Sequence, residues 1–505
     1  MARYNFLYSA KSSIFVPLLA EYKFNIMDNI IGRTSEIAIL KEVLASPNAE
    51  LLAMYGRRRV GKTFLIRNIY EKEIVFEFTG LKEVSLAAQL ENFSLTLVDT
   101  FQLKVEIATP KNWLQAFRML INLLEDLPTG SKKVIFLDEF PWLDMPKSGF
   151  LAAFDHFWNA WASRKNDILV VICGSAASWM IQNVVSNKGG LHNRLTQRIR
   201  LLPFNLYETE LFLKHKNVHL DHYQLLQIYM VTGGIPHYLR DVKTGESSTQ
   251  IIDRLCFTKD GWLQNEFKNL YIALFENADN HIAVVRSLAN KPMGMTRNEI
   301  MTANKLSSGG SLTKLLDELL ESGFVSIYTP FGRTSKDGIY KLSDEYSLFY
   351  LKFIENSKVT GVGTWLKKAQ SASYKSWSGL AFENICLKHI PQIKKALGIS
   401  GIYCEESIWR FVAKNDEKGT QIDLLLDRQD NCINLLELKF SNMPFTIDKK
   451  YASELQNKRF VFQEKTKTRK SIFTTMLTTF GVAQNEHYTN NVQQQLTMKI
   501  LFENL

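Results

Sequence analysis

An α/β protein of several domains is what this sequence predicts, and three observations carry the prediction. Short apolar runs at 51–55, 134–137 and 169–173 alternate with stretches of helical periodicity, the pattern of an open, largely parallel sheet that binds ligands at its strand C-termini. From His281 onward the pattern changes to three short helices and two strands. Beyond residue 370, two further apolar runs, 421–427 and 433–440, are joined by the turn Arg428–Asn431 and read as a hairpin. A chain of 505 residues is expected to hold three or four domains, because single cores rarely grow past about 250–300 residues.

Residues 1–26 read as an N-terminal extension, and the first regular segment begins at Met27 with Ile31-Gly32-Arg33 and the acid Glu36. The run Leu51–Tyr55 is a strand candidate, Phe64–Tyr70 an amphipathic helix, and Gly56-Arg57-Arg58-Arg59-Val60-Gly61-Lys62-Thr63 lies between them. This is the order a phosphate-binding loop needs. Gly56 and Gly61 let the backbone wrap a polyphosphate, successive N–H groups and the helix N-terminus face the anion, Lys62 reaches the terminal phosphates, and Thr63 ligates magnesium. The three arginines add positive charge where the phosphates must sit.

Val134–Leu137 ends in Asp138-Glu139, a buried strand delivering two carboxylates to a sheet edge. Asp138 is the expected magnesium-shell residue and Glu139 the group that polarises the attacking water. Leu169–Cys173 ends in Gly174-Ser175, so Ser175 is a candidate sensor of the terminal phosphate. Helices are expected over 85–103 and 112–126, with further strands at 74–78 and 199–202. The polar loop Gly189–Arg198 carries Arg194 and Arg198; one of them is a candidate for neutralising the leaving phosphate, and surface arginines are the alternative.

These pieces, with Leu202-Pro203-Phe204 and Thr232-Gly233-Gly234-Ile235-Pro236, resemble the prokaryotic family often called archaeal ATPases, within the AAA+ and STAND relatives of P-loop NTPases. The resemblance runs from Ile31 to Tyr238. It implies ATP and Mg2+ as cofactors, a five-stranded core (27–205) with the phosphate-loop strand in the middle, and a helical lid (206–278) carrying the Gly-Gly-Ile-Pro turn. Helices are expected at 207–231 and 249–275, and the resemblance implies coupling between nucleotide state and lid position if residues near Pro236 or Tyr238 face the nucleotide.

The elements from 279 to 354 fit a winged helix-turn-helix. Its third helix, 312–322, carries Thr313 and Lys314 but also Asp317, Glu318 and Glu321, whose exposed charges would repel phosphates. Packing or partner contact is therefore favoured over base reading, although Arg333 and Lys336 in the wing could touch a backbone. Residues 355–372, with Gly361, Gly363 and several serines and lysines, are the expected connection to a last domain, 373–505.

In that domain Glu437 and Lys439 lie two apart on a strand, hence on one face, and Asp423 on the neighbouring strand can converge with them. Glu383 sits between Leu380 and Leu387 on a helix, close to an apolar face where an acid needs a partner. Two carboxylates and a lysine suit magnesium-dependent phosphodiester cleavage, with Asp423 and Glu437 as metal ligands, Lys439 acting on the attacking water, and Glu383 as a third candidate ligand. The set is similar to the PD-(D/E)XK superfamily, which implies a restriction-endonuclease-like α/β fold acting on nucleic acid, DNA rather than RNA. Lys458, Arg459, Lys465, Lys467, Arg469 and Lys470 then form a basic segment that could track a phosphate backbone, a solvated face being the alternative.

Composition narrows the rest. Apolar content of 46%, charged content of 22% and a net charge of +10 describe a folded, mildly basic protein. Five scattered cysteines with no Cys-x-x-Cys pair argue for a reduced cytoplasm and against zinc. No run reaches the 18 or so apolar residues of a membrane span. Homo-oligomerisation is left open. The expected function is an ATPase that couples or gates a nuclease-like domain. The alternatives are a nucleotide-gated signalling or defence switch and an ATP-responsive DNA-binding regulator, each with a non-cleaving C-terminal domain.

Overall fold

The computed structural model describes residues 30–105, 107–175, 177–185, 191–275, 277–357, 361–412 and 419–505. The 1–26 extension, and Gly189 and Gly190 of the arginine loop, lie outside them. Thirteen strands are formed among these residues: β1 (Glu50–Tyr55), β2 (Ile74–Thr79), β3 (Lys133–Asp138), β4 (Ile168–Gly174), β5 (Gln197–Arg200), β6 (Met295–Thr296), β7 (Val325–Tyr328), β8 (Ile339–Leu342), β9 (Cys404–Phe411), β10 (Thr420–Arg428), β11 (Cys432–Lys439), β12 (Ser471–Thr478) and β13 (Gln494–Thr497).

The first five strands make one parallel sheet in the order β2-β3-β4-β1-β5. The phosphate-loop strand β1 is interior, between β4 and β5, and β4 holds the centre. Period-2 alternation explains why its interior strands are apolar throughout. Leu51, Ala53, Ile135, Leu137, Val170 and Ile172 enter one core, with the helices Leu86–Phe101, Trp113–Glu125 and Phe150–Ala160. Their neighbours Leu52, Met54, Val134, Phe136, Leu169 and Val171 enter another. The two helices expected between β2 and β3 form within two residues of their expected ends, N-capped by Ser85 and Asn112.

The second core does not stop at the ATP-type sheet but runs on through the lid and middle module into the C-terminal domain. The two long lid helices expected from periodicity are each broken. Helices Leu206–His215 and His222–Thr232 are separated at Asn217, which takes φ 58°, and Ser248–Cys256 and Leu263–Leu274 are separated around Gly261. The Gly-Gly-Ile-Pro turn has a steric cause. Gly234 has φ +69°, and a Cβ there would lie 2.0 Å from the Phe204 carbonyl oxygen, so only glycine lets this turn close on Leu202-Pro203-Phe204.

The middle module contains helices Ala278–Ala289, Arg297–Ala303 and Gly310–Glu321 with the antiparallel sheet β6-β8-β7. Glu318, expected on the exposed face of the third helix, is buried and bonded to His281 Nε2 at 2.7 Å. Of the residues named on that face Glu318 alone is buried, while Thr313, Lys314 and Asp317 stay exposed; Arg200 of β5 donates from Nη2 to the Leu320 and Glu321 carbonyls at 2.7 and 2.8 Å, capping the helix end. The stretch expected as a connection contains helix Thr364–Lys368, with Trp365 buried and its amide donated to Asp253 at 2.7 Å. It is a packed element where it is described.

The last sheet is mixed, in the order β13-β12-β11-β10-β9, with β9-β10-β11 antiparallel and β11-β12-β13 parallel. Helix Ala372–Lys388 precedes it and helix Lys449–Thr466 joins β11 to β12. The expected hairpin is β10-β11, paired Leu424 to Leu436 and Asp427 to Ile433. The helix expected around Glu383 ends at Lys388, and Pro391 helps start a second one, Ile390–Ala396.

Candidate functional site

Two constellations stand at strand ends, one in each α/β sheet. In the first, the loop after β1 turns sharply. Gly56 has φ +146° and a Cβ there would meet the Leu201 carbonyl oxygen at 2.3 Å, while Gly61 has φ +96° where the helix Lys62–Ile69 begins. Both glycines are thus demanded by backbone geometry. Lys62 is buried and its Nζ donates to the Gly56 and Arg57 carbonyls at 3.0 Å each, folded back across the loop. Thr63 Oγ1 donates to Asp138 Oδ2 at 2.8 Å, which brings together the two oxygen ligands expected for magnesium. That donor set fits the ion, which takes one or two protein oxygens and completes its shell with water and phosphate.

Glu139 adopts φ 45°, and its Oε2 accepts from Ser175 Oγ at 2.7 Å and from the Ser175 amide at 3.2 Å. The proposed water-polarising acid and the sensor residue are therefore bonded to each other, a pairing that strand spacing could not show. Val60 is buried, and its carbonyl accepts from Arg33 Nη2 at 3.2 Å.

The loop arginines depart from expectation. Arg58 alone among them is exposed. Arg57 is buried, pairs with Asp344 of the middle module and stacks over Phe324 at 4.7 Å. Arg59 pairs with lid Glu266 at 2.7 Å and lies over Trp262. Two of the three charges thus fasten the loop to neighbouring modules instead of adding to the phosphate site. Glu266 also accepts from the Tyr238 hydroxyl at 3.2 Å, so the lid residue singled out from the sequence touches the loop's partner. Arg194 pairs with Asp155 on helix Phe150–Ala160 at 3.3 Å, a contact within the ATP-type domain.

The second constellation lies where β10 is irregular, between Ile422 and Leu425. Asp423 Oδ2 accepts from the Leu438 amide at 3.2 Å, and Lys439 Nζ is 3.8 Å from Glu437 Oε2, so the strand pair does bring these three together. Burial and the adjacent Asp423 charge raise the Glu437 carboxyl against the pull of Lys458 and Lys439. Burial likewise raises that of Glu383, with Lys341 opposing and Asp423 adding to the rise.

The expected metal cage is not assembled. Among the described residues no group of three or more His, Cys, Asp and Glu side chains is placed to hold a metal ion. Ammonium groups take the carboxylates instead: Lys341 Nζ is 2.5 Å from Glu383, and Lys458 Nζ is 2.6 Å from Glu437, whose other oxygen accepts from the Tyr451 hydroxyl at 3.0 Å. As arranged, this donor set does not fit a divalent cation. Lys458 and Tyr451 were not identifiable as site residues, since Lys458 looked like one cation of the basic segment. Within that segment Lys470 also turns inward, to Asp427 at 2.5 Å, while Arg459, Lys467 and Arg469 are exposed.

Comparison with known proteins bears on the first constellation. Residues 30–242 match the family described as an ATPase domain predominantly from Archaea. An uncharacterized protein of Methanocaldococcus jannaschii is 25% identical over 435 residues, covering 85% of this chain and 91% of its own length. Among solved structures, the Walker-type ATPase of Pyrococcus abyssi has a TM-score of 0.46 at 17% identity, covering 65% of this chain and 97% of its own. The ORC2 protein of Aeropyrum pernix, solved in ADPNP–ADP complexes, has a TM-score of 0.40 at 14% identity, covering 68% and 97%. Residues 30–242 form a P-loop ATPase domain. No helix among the described residues is long and apolar enough to cross a membrane.

Proposed function

We propose that this chain is an ATPase that gates a C-terminal nuclease-like domain acting on nucleic acid. One observation carries the reading: Asp423, Glu437 and Lys439 come together at the break in β10, on a sheet flanked by helices Ala372–Lys388 and Lys449–Thr466, with each carboxylate held by a partner. There Lys439, the partly exposed cation of the group, is placed to meet a phosphodiester, and Glu383 with its lysine partner borders it. The middle module is read as a winged helix. The buried Glu318 and the helix end docked on Arg200 favour its use in packing over base reading.

At the ATPase site the roles follow from placement. Amides of Gly56–Thr63 and the following helix N-terminus bind the polyphosphate, and the Lys62 ammonium turns from the Gly56 and Arg57 carbonyls to phosphate oxygens. Thr63 and Asp138 would hold magnesium, which supplies charge neutralisation to the transferring phosphoryl group. Glu139 orients water and accepts its proton, while Ser175 fixes the Glu139 carboxylate.

The test uses two variants of the full chain. Lys62→Ala should lower ATP turnover by about 10²-fold or more, as the loss of a preorganised cationic donor does. Lys439→Ala should leave ATP turnover intact and abolish cleavage of DNA or RNA. Cleavage by Lys439→Ala at the wild-type rate would retire the C-terminal site, and unchanged hydrolysis by Lys62→Ala would retire the first.

A further inference from the structure

Five consecutive residues, Lys341 to Glu345, touch the phosphate loop on one side and the Glu383 helix on the other. Lys341 Nζ is 2.5 Å from Glu383, and the Leu342 carbonyl accepts from Asn384 Nδ2 at 3.1 Å. Asp344 pairs with Arg57 of the phosphate loop, and Glu345 accepts from Lys388 Nζ at 2.7 Å. The Ser343 and Asp344 amides both bond to the backbone carbonyl of Phe324, at 3.0 and 3.1 Å, the residue whose ring lies under the Arg57 guanidinium. Lys341, Asp344 and Glu345 are all buried.

Buried ion pairs of this kind resist partial rearrangement, because separating one partner leaves an uncompensated charge in a poorly solvated place. The loop end is not independent of phosphate. Lys62 Nζ rests on the Arg57 carbonyl, and an ammonium that takes up phosphate oxygens gives up that contact, so the residue whose side chain holds Asp344 changes its own bonding when a polyphosphate enters.

We propose that Lys341–Glu345 is a clasp that transmits the state of the phosphate loop to the helix Ala372–Lys388. It keeps Glu383 paired with Lys341 until nucleotide loosens the Arg57–Asp344 contact. The inference rests on the gating function proposed above and names the element that performs it. Lys341 and Asp344 are positioning residues: neither needs to touch a substrate.

Hydrogen exchange read by mass spectrometry on the full chain tests this, with and without a non-hydrolysable ATP analogue and magnesium, the analogue's affinity being measured on the same samples. In the wild type, peptides spanning 341–345 and 380–388 should exchange about tenfold faster or more with the analogue bound, as expected where a charge-assisted contact is released. In Asp344→Asn, which keeps an N-cap side chain but no charge, exchange there should already be fast and should not respond to the analogue. The wild-type comparison needs no variant, so the proposal is decided even if Asp344→Asn fails to fold. Bound analogue with unchanged wild-type exchange at 341–345 and 380–388 overturns the clasp and leaves the ATPase site standing. No measurable affinity for the analogue overturns both.

Discussion

Replacing Asp344 should be among the most costly single changes on the surface between the modules. Its carboxylate and the Arg57 guanidinium are almost wholly inaccessible, with side-chain exposures of 2% and 3%. Burial works to raise the Asp344 carboxyl, but the Arg57 charge and hydrogen bonds from the Ser347 and Arg57 side chains outweigh burial and leave it below the ordinary carboxylate range. Removing one partner of such a pair costs about 3–5 kcal/mol, because the other remains buried without compensation. Asp344 also N-caps helix Glu345–Phe349 through Ser347 at 2.8 Å, worth a further ~0.5–2 kcal/mol. Asp344→Ala should therefore lose roughly 4–6 kcal/mol of apparent stability and Asp344→Asn about 3–4 kcal/mol, since asparagine keeps the cap. Arg57→Met combined with Asp344→Asn should recover most of the Asn loss, a coupling of about 2 kcal/mol or more. Urea unfolding followed by far-ultraviolet circular dichroism measures all four chains. If Asp344→Asn falls within about 0.5 kcal/mol of wild type, or the double variant is no better than the single one, the buried-pair argument is wrong.

Three further outcomes follow from particular contacts. His389 is fully buried, accepting the Leu206 amide at Nε2 and donating from Nδ1 to the Ile385 carbonyl, and burial pulls its pKa from 6.5 down to about 4. Because the folded state favours the neutral ring, its contribution is intact above pH 6.5 and is lost as pH falls toward 4; the total is about 3 kcal/mol, so the unfolding midpoint should fall across that window in wild type and much less in His389→Gln. Gly234→Ala places a Cβ 2.0 Å from a backbone oxygen at positive φ and should cost about 2 kcal/mol or more, seen as a lowered melting temperature. Lys458→Met strips the ammonium from buried Glu437 and should destabilise by about 3 kcal/mol; a neutral result would mean that Tyr451 and Lys439 suffice to hold that carboxylate.

What the sequence determined by itself was local. The phosphate loop is eight consecutive residues whose work is done largely by backbone amides and two glycines, and Asp138-Glu139 and Ser175 follow from where apolar strands end. The β10-β11 pair with Glu437 and Lys439 on one face follows from a period of two. Tertiary structure decided which charge meets which. Arg57 finds its partner 287 positions away, and Glu383 is taken by a lysine of the middle module. Glu318 looks solvent-facing on a helical wheel but is inward, bonded to His281 of helix Ala278–Ala289. A side chain's spacing in the chain dictates its face, but only what packs on that face determines whether a charge is hydrated, paired or free to bind an ion.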